Sequence, residues 1–140
     1  MKFLILIVLS IFLWANQIYL ENCKIKQLDL SKIPKKYFVE FYKKAPLDKK
    51  THKYIGITLK NLEKLIGNAN KLIFLAYDDY KTTFNKKEIN SPYILFVFYE
   101  DDKPIPLYKR GPAKIIYLIQ KNEDYFFKSI FLIKKVICEK

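Results

Sequence analysis

The pattern of apolar and polar positions separates a short amino-terminal segment from the rest of the chain. Lys2 is followed by an eleven-residue apolar run, Phe3 to Leu13, and the sequence turns polar after Ala15. This layout is typical of a cleaved secretory signal peptide, and the run is shorter than the roughly 20 residues of a membrane-spanning helix. We therefore predict a signal peptide over residues 1–15 and a periplasmic or secreted protein, with an uncleaved membrane anchor as the alternative.

The remaining sequence alternates short strand patterns with short helical ones. Period-two alternation or continuous apolar runs predict strands over 24–30, 72–77, 80–84, 93–99, 113–119 and 130–138. The segment 93–99 is the most apolar, so it is expected at the centre of a sheet. A helix is predicted after Thr58, which offers a capping hydroxyl. Leucines spaced for one helical face follow it, and Gly67 is expected to end the helix. Short helical turns are predicted over 85–89 and 122–128.

Two further segments lie before this helix. Aromatic residues at positions 37, 38, 41 and 42 have the spacing of one helical face, so we predict a helix that Ser31 caps. The Lys-rich segment 43–54 is predicted to be a surface loop. The fold class is therefore α+β: a single compact domain with a mixed β-sheet and a few short helices. Residues 16–54 form its N-terminal strand, helix and loop extension, and residues 55–140 form the main domain.

Charge and composition narrow the class of function. The formal net charge is +12, but 25 of the 26 basic residues are lysines, spread evenly along the chain. Lysine, Ile, Asn, Tyr and Phe share A/T-rich codons, so codon bias explains their abundance without a nucleic-acid ligand. A solvated basic surface is the simpler interpretation, and binding to an acidic surface is an alternative.

The two cysteines leave two possibilities open. In an oxidising compartment Cys23 and Cys138 would form a disulfide that closes a long loop, or they would remain separate thiols. Together with His52, the only histidine, they are too few for an ordinary zinc site. The three glycines form no phosphate-binding loop, and the paired carboxylates at 78–79 and 100–102 lie in turns. These patterns argue against an enzyme.

One basic stretch stands apart from the other lysines. Lys109, Arg110 and Lys114 flank a Gly-Pro pair, and Arg110 is the only arginine of the chain. Its planar guanidinium suits bidentate contact with a carboxylate or a phosphate. The simpler interpretation is an ion pair with an acidic residue of the preceding turn, Glu100, Asp101 or Asp102.

Four segments in a fixed order carry a resemblance to a known family: Thr58–Leu62, Asp78–Tyr80, Lys103–Leu107 and Gly111–Tyr117. Their order and spacing over residues 55–138 resemble the C-terminal part of the oxidoreductase molybdopterin-binding domain. This is the fold of sulfite oxidases and of the periplasmic methionine-sulfoxide reductase catalytic subunit. Catalytic members bind molybdenum through a cysteine thiolate upstream of this region, whereas residues 24–57 contain no cysteine.

The resemblance implies a small exported member of this superfamily. A basic stretch of the family faces the phosphate arm of the cofactor, and it would correspond to Lys109, Arg110 and Lys114. We therefore expect an exported non-catalytic binding protein without a cofactor, whose partner is an unidentified protein or small ligand. No nucleic acid is expected, and a membrane is expected only if the signal segment stays uncleaved. The alternatives are a molybdopterin-binding periplasmic redox protein and a basic protein bound to an acidic surface.

Overall fold

The computed structural model describes residues 16–44, 48–118 and 130–140, and within these ranges the chain forms ten strands and two short α-helices. The predicted signal peptide and the predicted helical turn over 122–128 lie outside the described residues. The elements, in chain order, are β1 (Gln17–Glu21), β2 (Gln27–Asp29), β3 (Val39–Lys44), β4 (Thr51–Thr58), α1 (Leu59–Ile66), β5 (Lys71–Ala76), β6 (Lys81–Asn85), α2 (Lys86–Ile89), β7 (Ile94–Glu100), β8 (Lys103–Pro104), β9 (Lys114–Tyr117) and β10 (Ile133–Glu139).

The strands divide between two sheets. The first has the order β2-β1-β10-β5-β6, and only β1 and β10 run parallel in it. The second is antiparallel: β3 pairs with β4 and β4 with β7, while β8 and β9 share the other edge of β7. The predicted central position of the 93–99 segment is therefore confirmed, because β7 has neighbours along both edges. The α+β class and the mixed strand directions are confirmed as well.

The main core lies between the two sheets. Phe74 of β5 and Phe96 of β7 are fully buried, and their ring centroids are 6.3 Å apart. Because side chains alternate across a strand, the neighbours of Phe96 point to the other face of the second sheet. There Leu95 and Val97 form a smaller buried cluster with Tyr54, Ile105 and Ile116. This second cluster matters for function, since the basic residues singled out in the sequence lie beside it.

Two of the three helical segments predicted within the described residues form helices. The Thr58 side chain accepts a hydrogen bond from the Asn61 N–H at 3.2 Å, and Gly67 ends α1 with a φ of 127°. Asn85 and Glu88 form a reciprocal capping box at the start of α2. Polar capping side chains therefore determine where both helices begin, and a glycine determines where α1 ends.

The predicted helix after Ser31 is wrong. Residues 30–32 and 35–37 form single 3₁₀ turns, and the aromatic segment continues as strand β3, which pairs with β4 along its whole length. In β3 exposure alternates, so that Phe41 stacks on Tyr54 with centroids 5.5 Å apart while Tyr42 points to solvent. The aromatic spacing fits both periods, and pairing with β4 selects the extended form.

The predicted loop over 43–54 is also wrong in part, because β3 extends to Lys44 and β4 begins at Thr51. Strand β4 crosses the boundary that was predicted after residue 54. The predicted strand over 24–30 is shorter, at 27–29, and the unpredicted β1 lies between β2 and β10. The amino-terminal segment is therefore built into both sheets.

Cys23 and Cys138 form a disulfide, which joins the chain just after β1 to the end of β10. Of the two possibilities that the sequence left open, the structure has the bridge. Within the described ranges, no helix combines the length and the apolar character needed to cross a membrane.

Candidate binding surface

The connection between β8 and β9 positions the three predicted binding residues. Residues 107–109 form a 3₁₀ turn, and Arg110 follows in the left-handed conformation with a φ of 71°. The Gly111 N–H donates to the Pro106 carbonyl at 2.9 Å, and the Gly111–Pro112 peptide is cis. A Cβ at position 111 would lie 1.8 Å from the Ile105 carbonyl oxygen, so only glycine fits. The backbone around Arg110 is thus fixed by close packing.

Lys109 is held by an acidic residue. Its Nζ lies 3.4 Å from Oε2 of Glu100, at the end of β7, and a hydrogen bond between these groups raises the pKa of Lys109. The Glu100 side chain is only 10% exposed, and burial together with the interaction with Glu100 raises the pKa of Tyr54. Glu100 therefore neutralises Lys109, and its charge also acts on Lys114.

Arg110 has no carboxylate partner among the described residues, so the predicted ion pair with the preceding turn is wrong. Glu100 already pairs with Lys109, and Asp101 contacts His52. The third candidate, Asp102, binds the Nζ of Lys53 at 2.8 Å. The guanidinium of Arg110 instead lies over the Phe131 ring, with its Cζ 5.1 Å from the centroid. A cation–π contact orients the group, and none of the described residues accepts a hydrogen bond from its five N–H donors.

Lys114 is the least expected member of the group, because it is buried. It lies on β9 with an exposed fraction of 8%, and its Nζ is 4.9 Å from the centroid of the Tyr54 ring. None of the described residues forms a hydrogen bond with its ammonium group. Burial lowers the pKa of Lys114, Glu100 partly offsets this, and the charges of Arg110, Lys43 and Lys109 lower it further.

These residues form one surface together with two exposed apolar side chains. Leu107 is 51% exposed and Tyr108 is 81% exposed, and both precede Lys109 directly. We call this set the β8–β9 surface: Leu107, Tyr108, Lys109, Arg110 and Lys114. It combines positive charge with an aromatic side chain, and the charges of Arg110 and Lys114 are close enough to interact electrostatically. The sequence indicated its three cations, but Tyr108 was missed among the chain's many tyrosines.

A second polar cluster lies nearby and was missed at the sequence level. His52 of β4 contacts Asp101 through Nδ1 at 2.5 Å and Asp48 through Nε2 at 2.6 Å. With Glu100, His52 and Asp101 offer three potential ligand atoms within 4.8 Å of one another. Both ring nitrogens already face carboxylates, however, and a histidine ligand must offer a lone pair to the metal. We therefore interpret the cluster as an ion-pair network and do not identify a metal site in it.

Neither the models of known protein families nor functionally characterised proteins match this sequence. The function must therefore be argued from the residues themselves.

Proposed function

We propose that this protein is an exported, non-catalytic binding domain that recognises an anionic group of its ligand or partner through the β8–β9 surface. The observation that carries this proposal is that Arg110 and Lys114 lack hydrogen-bonded carboxylate partners in the described part of the chain. The carboxylates at positions 100–102 are bound by other cations. A buried ammonium group that lacks a hydrogen-bonded anion is unfavourable, so an anion that reaches Lys114 would offset part of the cost of burying its charge.

Two observations support export. The amino-terminal sequence has the layout of a signal peptide, and the protein contains a disulfide between its only two cysteines. Disulfides persist in oxidising compartments such as the periplasm and the extracellular space. A periplasmic or secreted location therefore agrees with both.

We further propose that the fold is related to the oxidoreductase molybdopterin-binding domain. The support is the order of α1, β5, the Asp78–Tyr80 turn, β7 and the Gly-Pro segment before β9, which follows the family's order. The residues present do not fit a molybdenum centre, because both cysteines are consumed in the disulfide and no thiolate remains as a ligand. The relation is thus proposed for the fold and not for redox chemistry.

Anion recognition at this surface is tested by calorimetric titration with two probes, inorganic phosphate and citrate. We compare the unmodified protein with Arg110→Gln and with Lys60→Gln, which removes the same charge from an exposed position of α1. Charge-assisted hydrogen bonds contribute about 1.5–3 kcal/mol, so Arg110→Gln should weaken binding roughly 10- to 150-fold. Lys60→Gln should leave the affinity within about twofold.

Two outcomes contradict the proposal. If neither probe binds, the surface is not an anion site. If both variants weaken binding equally, the protein responds to net charge alone, which is the behaviour of a basic protein on an acidic surface.

The alternative of a molybdopterin-binding redox protein is tested separately by metal analysis of the protein purified from its native compartment. We expect molybdenum far below one atom per chain in folded, disulfide-bonded protein. Stoichiometric molybdenum would overturn the non-catalytic assignment and establish the redox alternative.

A further inference from the structure

The His52 cluster connects two turns that are distant in sequence. Asp48 precedes β4 and Asp101 lies in the turn between β7 and β8, and the imidazole bridges their carboxylates. The second oxygen of each carboxylate accepts a backbone N–H, from Lys50 at 2.9 Å and from Lys53 at 3.0 Å. Each carboxylate is therefore fixed from both sides, and among the described residues His52 is the side chain that contacts both.

The protonation state of this bridge follows from simple counting of donors. An ionised carboxylate is an acceptor only, so a ring nitrogen that faces one must carry a proton. Both ring nitrogens of His52 face carboxylates, and only the imidazolium has two N–H groups. In the neutral imidazole one nitrogen presents a lone pair to a carboxylate oxygen, which replaces a charge-assisted hydrogen bond by repulsion.

Other charged groups face the cluster from every neighbouring element. His52 is paired in register with Lys43 of β3, and Glu100 lies beside Asp101 on β7. The carboxylates also interact with the charges of Lys50 and Lys109. Among these interactions, the hydrogen bond to Asp101 has the largest effect and the one to Asp48 the next largest. Both raise the pKa of His52 above its ordinary value of 6.5.

We propose that His52 is a pH-sensitive bridge, which joins the Asp48 turn to the Asp101 turn by hydrogen bonds only while both of its ring nitrogens are protonated. When the imidazolium loses a proton, one of the two bridges opens and the cluster becomes more negative by one charge. Asp101 interacts electrostatically with Lys109, so this charge change occurs beside the β8–β9 surface. The inference goes beyond the proposed binding function and does not depend on it.

The proposal is tested by ¹⁵N NMR titration of the disulfide-bonded protein. His52 is the only histidine, so its two ring nitrogens give an unambiguous signal. We expect both nitrogens to be protonated at pH 6, and the titration midpoint to lie above 6.5. The amide resonance of Lys50 should shift with the same midpoint, because its N–H is bound by Asp48. A purely local surface histidine would leave that amide unchanged.

Three variants separate the bridge from general electrostatics. Asp48→Asn and Asp101→Asn should each lower the midpoint of His52, because an amide oxygen is a weaker acceptor for the imidazolium. Asp102→Asn is the matched control: Asp102 lies next to Asp101 in the same left-handed conformation but binds Lys53. It should leave the midpoint close to that of the unmodified protein. Asp48→Asn alone suffices if Asp101→Asn does not fold. A midpoint at or below 6.5, or equal shifts in all variants, would overturn the proposal.

Discussion

Removal of the disulfide is the perturbation whose effect can be worked out most completely from the structure. Cys23 and Cys138 are separated by 115 residues in sequence, so the bridge closes nearly the whole described chain into one loop. In the chain-entropy treatment a loop of this size destabilises the unfolded state by about 4.8 kcal/mol. For a domain of this length, each kcal/mol corresponds to roughly 4 °C in melting temperature. The double variant Cys23→Ala/Cys138→Ala should therefore melt about 15–20 °C lower than the bridged protein.

The assay is thermal unfolding followed by circular dichroism, with and without a reductant. Reduction of the unmodified protein should lower its melting temperature toward that of the double variant, whereas the double variant should not respond to the reductant. This comparison separates the bridge from packing changes at Cys138, which is 1% exposed. A double variant that melts within about 3 °C of the bridged protein would refute the reasoning, since the loop closure would then contribute almost nothing.

Three further perturbations give distinct results. Glu63→Gln removes the buried carboxylate that binds the Nζ of Lys86 at 2.7 Å, and it should cost about 1–2 kcal/mol in urea unfolding; an unchanged midpoint would argue against this ion pair. Gly111→Ala places a Cβ 1.8 Å from the backbone oxygen of Ile105. The free energy of unfolding should therefore fall by about 3 kcal/mol, and phosphate binding should be lost; normal phosphate binding would contradict this prediction. His52→Gln should destabilise the protein below pH 6.5 and lose this effect as pH rises through the raised pKa of His52, because a raised pKa stabilises the folded state only while the proton is bound. The paired carboxylates have lowered pKa values, so the effect should also fade below about pH 3.8. Equal deficits at pH 5.5 and pH 9 would contradict the last prediction.

Segments whose structure depends on local signals could be predicted from the sequence. The α1 helix begins at a threonine cap and ends at Gly67, and both signals act within one turn. Strand β7 is a continuous apolar run because both of its faces are buried, which itself indicates a central position. The turn between β5 and β6 was equally visible, since Asp79 adopts a positive φ that aspartate tolerates.

Segments that depend on distant partners could not be predicted in this way. Strand β1 is stabilised by parallel pairing with β10, more than a hundred residues away, and its own sequence resembled a continuation of the signal segment. Strand β3 carries aromatic residues at positions that fit a helix as well as a strand, and only β4 decides between them. Local periodicity contains no information about either partner.

The candidate site shows the same division. The cations at 109, 110 and 114 were visible because they flank a Gly-Pro pair. The burial of Lys114 was not, because it follows from the register of β9 against β7, where Lys114 is opposite Val97. The predicted ion pair of Arg110 was wrong because proximity in sequence does not show which of several cations pairs with a given carboxylate in the fold. His52 and Lys53, on the neighbouring strand β4, take two of the three carboxylates.

The most direct test of the account is the response of the Arg110 side chain to an anion. Arg110 is the only arginine, so its Nε–H gives a single resolved signal in a ¹⁵N spectrum. During titration with inorganic phosphate, this signal should shift to saturation with the affinity found by calorimetry, and the amide of Lys114 should shift with it. If the Arg110 signal stays in place while exposed lysines elsewhere respond, the β8–β9 surface is not the anion-binding site.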